Sequence, residues 1–468
     1  MKYSFIQLFE EKLKKKTIYL LICLFLILKI PTLNVFYFWD ETTSVEQCIS
    51  VANKNLYPIP DYDVGHPPLF YFIGGLMYKL FDESSVVSRL IILFFSILGI
   101  YFTYLIGKKL YDERVGLVAA VLLMFSPLYF AQSGIFVTDI PLTTLILSTV
   151  YFVIKNDEKK YIISSSLMVL MKEPGILAVF AILIYMIANN YKRKKLLLKK
   201  IFICSIPLLV FLIWTVYHWS QAGWIIYKPE NYNLYRIKEG ANIKLLLLDL
   251  ARIFNFIFML QYRFIISLII TILIISRYGK IRKIFKREVL LLFLLILFYM
   301  VLFSLVYSIA RYFLPVLPFF FIIGSKAIVK IIPKKMIIPI ILLIIILFVT
   351  DWFGTRDVYA GEILESNLEY LDVIKSNQMA IDYLVKNYPD SIIFADITIS
   401  YDRVPLKIIS FDAYRFENAS IDDVNIVLFA HQSSSYPLFS QTISKMNLSL
   451  LEKFEVNGKI TEIFKVIK

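Results

Sequence analysis

The chain has 468 residues, 59% hydrophobic and only 18% charged, with a mean hydropathy of +0.70. A soluble domain carries about a quarter charged residues, so an ordinary cytosolic enzyme and a disordered protein are excluded. Three cysteines, Cys23, Cys48 and Cys204, are too few for a disulfide scaffold. The net charge of +14 would suit nucleic acid, but its distribution argues against that partner.

A membrane span needs about 20 mostly apolar residues. Eleven segments read as spans: 17–34, 87–107, 114–133, 136–154, 160–171, 174–190, 200–219, 257–277, 288–308, 312–332 and 336–353. The fifth is short and either joins the sixth as one long helix or forms a bent pair with it. Lys and Arg collect in cytoplasmic loops, and that rule orients the chain. Lys12, Lys14, Lys15 and Lys16 precede the first span and place the N-terminus in the cytoplasm. Basic residues recur at Lys108–Lys109, Lys155–Lys160, Lys192–Lys200, Arg277–Arg287 and Lys334–Lys335. The third and fourth basic loops flank residues 160–190, so an even number of crossings separates them, which favours two elements there. The first apolar run lacks a small-x-small cleavage site and reads as an anchor.

Residues 354–468 change character and read as a separate extracytoplasmic domain after a membrane domain of 1–353. They hold 16 Asp plus Glu against 11 Lys plus Arg, so the basic excess lies on the membrane part. It is a topology signal and does not imply nucleic acid. The pattern predicts a helix over Ser366–Tyr388 and buried strands over Ile392–Ala395, Ile408–Phe411 and Ile426–Phe429. It further predicts a helix over Tyr436–Met446 and a hairpin of Leu451–Val456 with Glu462–Ile467 around Asn457-Gly458. Two sequons begin at Asn418 and Asn447. The fold class is therefore an all-α polytopic membrane protein of about 11 transmembrane helices with a small C-terminal α/β domain outside.

The outside loops at 35–86 and 220–256 are the longest, and loops of that length commonly carry function. The first opens on Phe38-Trp39-Asp40-Glu41, where two carboxylates follow an aromatic anchor. By itself such a pair suits the positive end of a helix. The loop continues through Asp61-Tyr62-Asp63-Val64-Gly65-His66-Pro67-Pro68 into an amphipathic helix over Leu69–Leu80. Arg89, Asp139, Lys172, Glu173 and Arg311 all fall at the outer ends of spans, on the face that carries Asp40 and Glu41. Singly, each fits an interfacial charge or a salt bridge between helices. Their convergence on one face points to a site. Arg and Lys suit a lipid phosphate at headgroup depth, and a carboxylate suits removal of a proton from an acceptor hydroxyl or amine.

Six short stretches resemble the GT-C membrane glycosyltransferases, specifically the protein O-mannosyltransferase and aminoarabinose (lipid A) transferase group. They are Asp40-Glu41; Asp63-Val64-Gly65-His66-Pro67-Pro68-Leu69, with Gly65 as an insertion; Ser88-Arg89-Leu90; Thr138-Asp139-Ile140-Pro141-Leu142; Lys172-Glu173-Pro174-Gly175; and Arg311-Tyr312-Phe313-Leu314-Pro315. Their order and membrane face agree with that group, and the C-terminal domain lies outside the resemblance. It implies a polyprenyl-phosphate-linked monosaccharide donor, a lipid, protein or glycan acceptor, and inverting transfer at the outer face of a prokaryotic plasma membrane. It implies Asp40 as general base with Glu41 beside it, and Arg89, Lys172 and Arg311 at the donor phosphate. His66, Asp63, Asp139 and Glu173 then serve as donor or acceptor contacts. Relatives differ in their use of a divalent metal; the candidate ligands here are Asp40, Glu41, Asp139 and His66. The competing readings are a lipid-linked sugar flippase and an oligosaccharide transferase or polymerase. A flippase would place its charges near the midplane and show internal repeats, neither of which is evident.

Overall fold

The computed structural model describes residues 5–60, 65–225, 243–277, 287–305, 309–354, 364–396, 407–411, 424–430 and 443–467. Each of the eleven apolar segments includes helix among its described residues. In chain order the helices are α1 (Phe5–Lys29), α2 (Asp40–Asn53), α3 (Leu69–Leu80), α4 (Ser85–Leu110), α5 (Glu113–Phe125), α6 (Pro127–Gln132), α7 (Asp139–Lys155) and α8 (Glu158–Met171). They continue with α9 (Gly175–Asn190), α10 (Lys194–Ala222), α11 (Ile243–Phe254), α12 (Arg263–Ser276), α13 (Val289–Phe303), α14 (Leu317–Ile331), α15 (Lys334–Trp352) and α16 (Tyr370–Asn387).

Among the described residues, four helical stretches can cross a membrane alone by length and composition: Ser85–Leu110, Lys194–Ala222, Ala310–Ile331 and Lys334–Trp352. A fifth crossing arises if Leu246–Met259 and Arg263–Ser276, bent by 89°, count as one. Three apolar helices, Leu69–Leu80, Gly175–Asn190 and Val289–Phe303, are shorter. The single span expected at 114–133 is broken at Ser126, whose ψ of 126° precedes Pro127, since a residue before proline avoids the helical region. The alternative left open for the fifth and sixth spans resolves as two helices. They are separated by Lys172–Pro174, because Pro174 offers no N–H to extend α8. Side-chain caps set the starts of α5 and α8: Asp112 accepts from the Val115 N–H at 3.1 Å and Asp157 from that of Lys160 at 3.2 Å.

The centre of the bundle is α4 packed along α5 and α7, with α14 along α5. Glycine permits the closest approach. A Cβ on Gly116 would lie 2.5 Å from the Tyr104 carbonyl oxygen, and one on Gly107 would lie 2.8 Å from the Gly116 Cα. Without a hydrophobic drive between helices in lipid, such small-residue contacts hold a bundle together. Gly116→Val is expected to destabilise the protein by about 1–3 kcal/mol through overpacking. Thermal unfolding in detergent measures it, and an unchanged melting temperature would contradict this packing.

In the C-terminal part, β1 (Ile392–Asp396), β2 (Lys407–Phe411), β3 (Ile426–Ala430), β4 (Leu448–Val456) and β5 (Lys459–Val466) form one sheet in the order β2-β1-β3-β5-β4. β1 runs parallel to β2 and β3, while β5 is antiparallel to β3 and β4. The hairpin turns at Asn457 (φ 49°) and Gly458 (φ 78°), as Asn-Gly favours. α16 covers one face of the sheet through Ala380, Ile381 and Leu384 against Ile393, Ile426, Leu428 and Ile463. The helix expected from Ser366 begins at Tyr370, after a 3-10 turn over Leu364–Ser366. Most of the helix expected at 436–446 lies outside the described residues, as does the Asn418 sequon.

Just past the boundary placed at 353/354, the chain packs back against the membrane part. Leu368, Tyr370, Val373 and Ile374 pack into the core of the membrane part. The Leu368 N–H donates to the Trp352 carbonyl at 2.8 Å, and Asn367 Nδ2 donates to the Asp351 and Gly354 carbonyls at 3.1 and 2.9 Å. The chain thus leaves α15 and returns onto the bundle before entering the sheet.

Candidate active site

The site is built from helix ends. Asp40 and Glu41 open α2, where the helix dipole favours acids. Before them, Trp39 has φ 49° and ψ −121°, a conformation costly for an aromatic residue and common where a side chain must be aimed. The two acids have opposite fates. Glu41 is fully buried: its Oε2 accepts from the Phe38 N–H at 2.8 Å and from Arg89 Nη2 at 3.0 Å. Its Oε1 takes the Phe136 N–H and Arg89 Nη1. Arg89 is 1% exposed, and its Nη2 also donates to the Phe36 carbonyl at 3.2 Å. The geometry therefore revises two expectations. Glu41 has no oxygen left for an acceptor, and Arg89 is sealed into a pair that ties α4 to the α2 start.

Asp40 turns the other way and is 44% exposed. Its Oδ2 accepts from Nη2 of Arg311, a residue of the 3-10 turn Ala310–Val316 that precedes α14. Arg311 is 6% exposed; its Nη1 donates to Glu365 Oε2 at 2.5 Å, and its Nε lies 3.9 Å from Asp139 Oδ2. Asp139, the first residue of α7, accepts from Lys172 Nζ at 3.0 Å through its other oxygen. Lys172 sits in the turn between α8 and α9, which Tyr299 braces by donating to the Pro174 carbonyl at 3.1 Å. His66 Nδ1 and Glu173 Oε2 meet at 3.0 Å, joining the first outside loop to the same turn. Asp63 lies outside the described residues.

Four chain regions expected at one face thus converge: Asp40, Asp139, Lys172 and Arg311 form a continuous chain of ion pairs. Aromatic rings line it, with the Arg311 guanidinium carbon 5.9 Å from the centroids of both Trp39 and Tyr312, and Lys172 Nζ 5.3 Å from that of Tyr312.

Sequence reasoning missed Glu365, Gln132, Gln261 and Arg263. Glu365 lay in the stretch assigned to the outer domain, and nothing in its neighbours marks it. Gln132 Nε2 donates to the Glu365 carbonyl at 3.0 Å, and Gln261 Nε2 donates to that of Ser366. Arg263, fully buried, holds the Gln261 Oε1 at 2.8 Å. An arginine and a glutamine within an apolar stretch were the available signal. Burial pushes the Glu365 carboxyl up to about 7; Arg311 opposes that rise, and the charges of Asp40 and Asp139 add to it.

In this arrangement the four candidate metal ligands are paired with charged groups, Asp40 with Arg311, Glu41 with Arg89, Asp139 with Lys172 and His66 with Glu173. Among the described residues no group of three or more His, Cys, Asp or Glu could hold a metal ion.

Comparisons place this geometry in context. Residues 65–220 match the model of the dolichyl-phosphate-mannose-protein mannosyltransferase family. A comparison with curated protein sequences finds no match. The structure of ArnT from Cupriavidus metallidurans bound to undecaprenyl phosphate superposes with a TM-score of 0.61 at 12% identity, covering 95% of this chain and 97% of that one. The Archaeoglobus fulgidus oligosaccharyltransferase in complex with Zn and sulfate gives 0.52 at 12% identity, covering 90% of this chain and 69% of that one. The same enzyme tethered to an acceptor peptide containing the NVT sequon gives 0.52 at 11% identity, with 93% and 72% covered. The chain shares the overall fold of these proteins over nearly its whole length.

Proposed function

We propose that the chain is an integral membrane glycosyltransferase that moves a monosaccharide from a polyprenyl-phosphate donor to an acceptor hydroxyl or amine at the outer membrane face, with inversion. The observation that carries this reading is Asp40: of the acids around Arg311 it is the exposed one, held by a buried cation. An inverting displacement needs a base on the acceptor side and cations where charge grows on the departing phosphate. Asp40 supplies the first, Arg311 and Lys172 the second. One guanidinium serves both ends, with Nη2 steadying the base while Nη1 faces the place of the phosphate. Glu41 and Arg89 fix the start of α2 and touch neither substrate.

The fold shared with ArnT and with the oligosaccharyltransferase, whose structures hold undecaprenyl phosphate and an acceptor peptide, supports a lipid-phosphate donor and a membrane-face acceptor. The mannosyltransferase family match over residues 65–220 supports the monosaccharide reading. In this reading the eleven helical segments cross the membrane of a prokaryotic cell, with the N-terminus cytoplasmic and the C-terminal sheet outside.

The test is transfer by the purified protein in lipid nanodiscs, given a panel of radiolabelled polyprenyl-phosphate sugars and a membrane extract as acceptor source. Transfer or sugar release by the wild type supports the enzyme. Donor binding without turnover would move the chain to the flippase class.

A further inference from the structure

We propose that Glu365 is a positioning residue that occupies the phosphate edge of Arg311 and yields it to the lipid phosphate of the donor. The proposal rests on the reading of Arg311 as a phosphate-binding cation and deepens it.

The first ground is shape. A guanidinium presents its N–H groups as edges that take a carboxylate or a phosphate in the same way. One edge of Arg311 holds Asp40 and another holds Glu365, through Nη1 at 2.5 Å. Removing Glu365 from that edge leaves Asp40 on Nη2 and frees the Nη1 donors for another anion.

The second ground is how Glu365 is held. Its backbone is pinned: its carbonyl accepts from Gln132 at 3.0 Å, the next carbonyl accepts from Gln261, and Leu368 is bonded to Trp352. Its carboxylate is held from one side only, since Oε1 is buried without a hydrogen-bond partner among the described residues. The side chain can therefore leave Arg311 while the segment stays docked.

The third ground is charge. Lys172 and Arg311 face Asp40, Asp139 and Glu365, so this group, buried except for Asp40, already holds one more acid than cation. Adding a phosphate to it deepens the imbalance, and burial makes such an imbalance costly. Exchange of one anion for another keeps the count unchanged if the displaced carboxyl takes up a proton. Tyr370 and Gln132 are its uncharged neighbours, and its raised affinity for a proton, with a pKa of about 7, makes that uptake accessible at neutral pH.

The experiment measures binding of undecaprenyl phosphate to the full chain in phosphatidylcholine nanodiscs. Glu365→Gln is expected to bind about three- to tenfold more tightly than wild type, because the competing anion is gone. Wild-type affinity should fall from about pH 6 to 8 more steeply than that of Glu365→Gln. Titration of the lipid phosphate is common to both proteins, so the difference in slope belongs to Glu365. Glu365→Asp, one methylene shorter, is expected to lie between them and serves if the glutamine variant does not fold. Loss of a merely structural contact would weaken binding. Equal or weaker binding by well-folded Glu365→Gln and Glu365→Asp therefore overturns the proposal. Undiminished binding by Arg311→Gln would instead overturn the phosphate reading of Arg311, which is a separate failure.

Discussion

Asp40→Asn is expected to lower turnover by about 10²–10⁴-fold, the usual contribution of a positioned general base. The amide keeps an oxygen for Arg311 but cannot accept the acceptor's proton. Because Asp40 is 44% exposed, its ion pair contributes little to stability, so the melting temperature should stay close to wild type. The Michaelis constant for donor should change little, since the lost interaction is made only in the transition state. A variant that turns over at wild-type rate would remove Asp40 from the chemistry and leave the ion-pair chain as architecture.

The second large effect concerns stability. Arg89→Ala leaves the Glu41 carboxylate buried without its cation, which costs about 3–5 kcal/mol. Glu41 retains the Phe38 and Phe136 N–H groups, but these do not replace a charge. A double variant, Arg89→Ala with Glu41→Ala, should recover part of the loss, because removing both partners leaves no orphan charge. Thermal unfolding of the single and double variants measures this. If Arg89→Ala kept the wild-type melting temperature and lost donor binding, Arg89 would be the phosphate contact that the resemblance implies.

The contrast between Arg89 and Arg311 shows where sequence reading ends. Both are arginines at the outer end of an apolar helix, and both fit a phosphate equally well on paper. What separates them is the turn at Trp39, whose positive φ sends Glu41 inward to Arg89 and Asp40 outward to Arg311. No local pattern encodes that turn, because aromatic residues seldom adopt it. Glu365 was illegible for a related reason. It belongs by composition to the outer domain, and only the return of the chain onto α6 and Arg311 gives it a role.

Much else was legible, since lipid imposes strong local rules. Every backbone polar group in a span must be satisfied within its helix, so apolar length alone marks the helical segments, and Asn457-Gly458 and Pro174 mark where chain direction changes. The sequence by itself marked the apolar helical segments, the terminal hairpin and the gathering of Asp40, Asp139, Lys172 and Arg311. Tertiary structure alone decided which of those charges are sealed and which stay open. That choice depends on contacts between residues far apart in the chain, as between Asp40 and Arg311, and burial turns such contacts into either buried architecture or a reactive site.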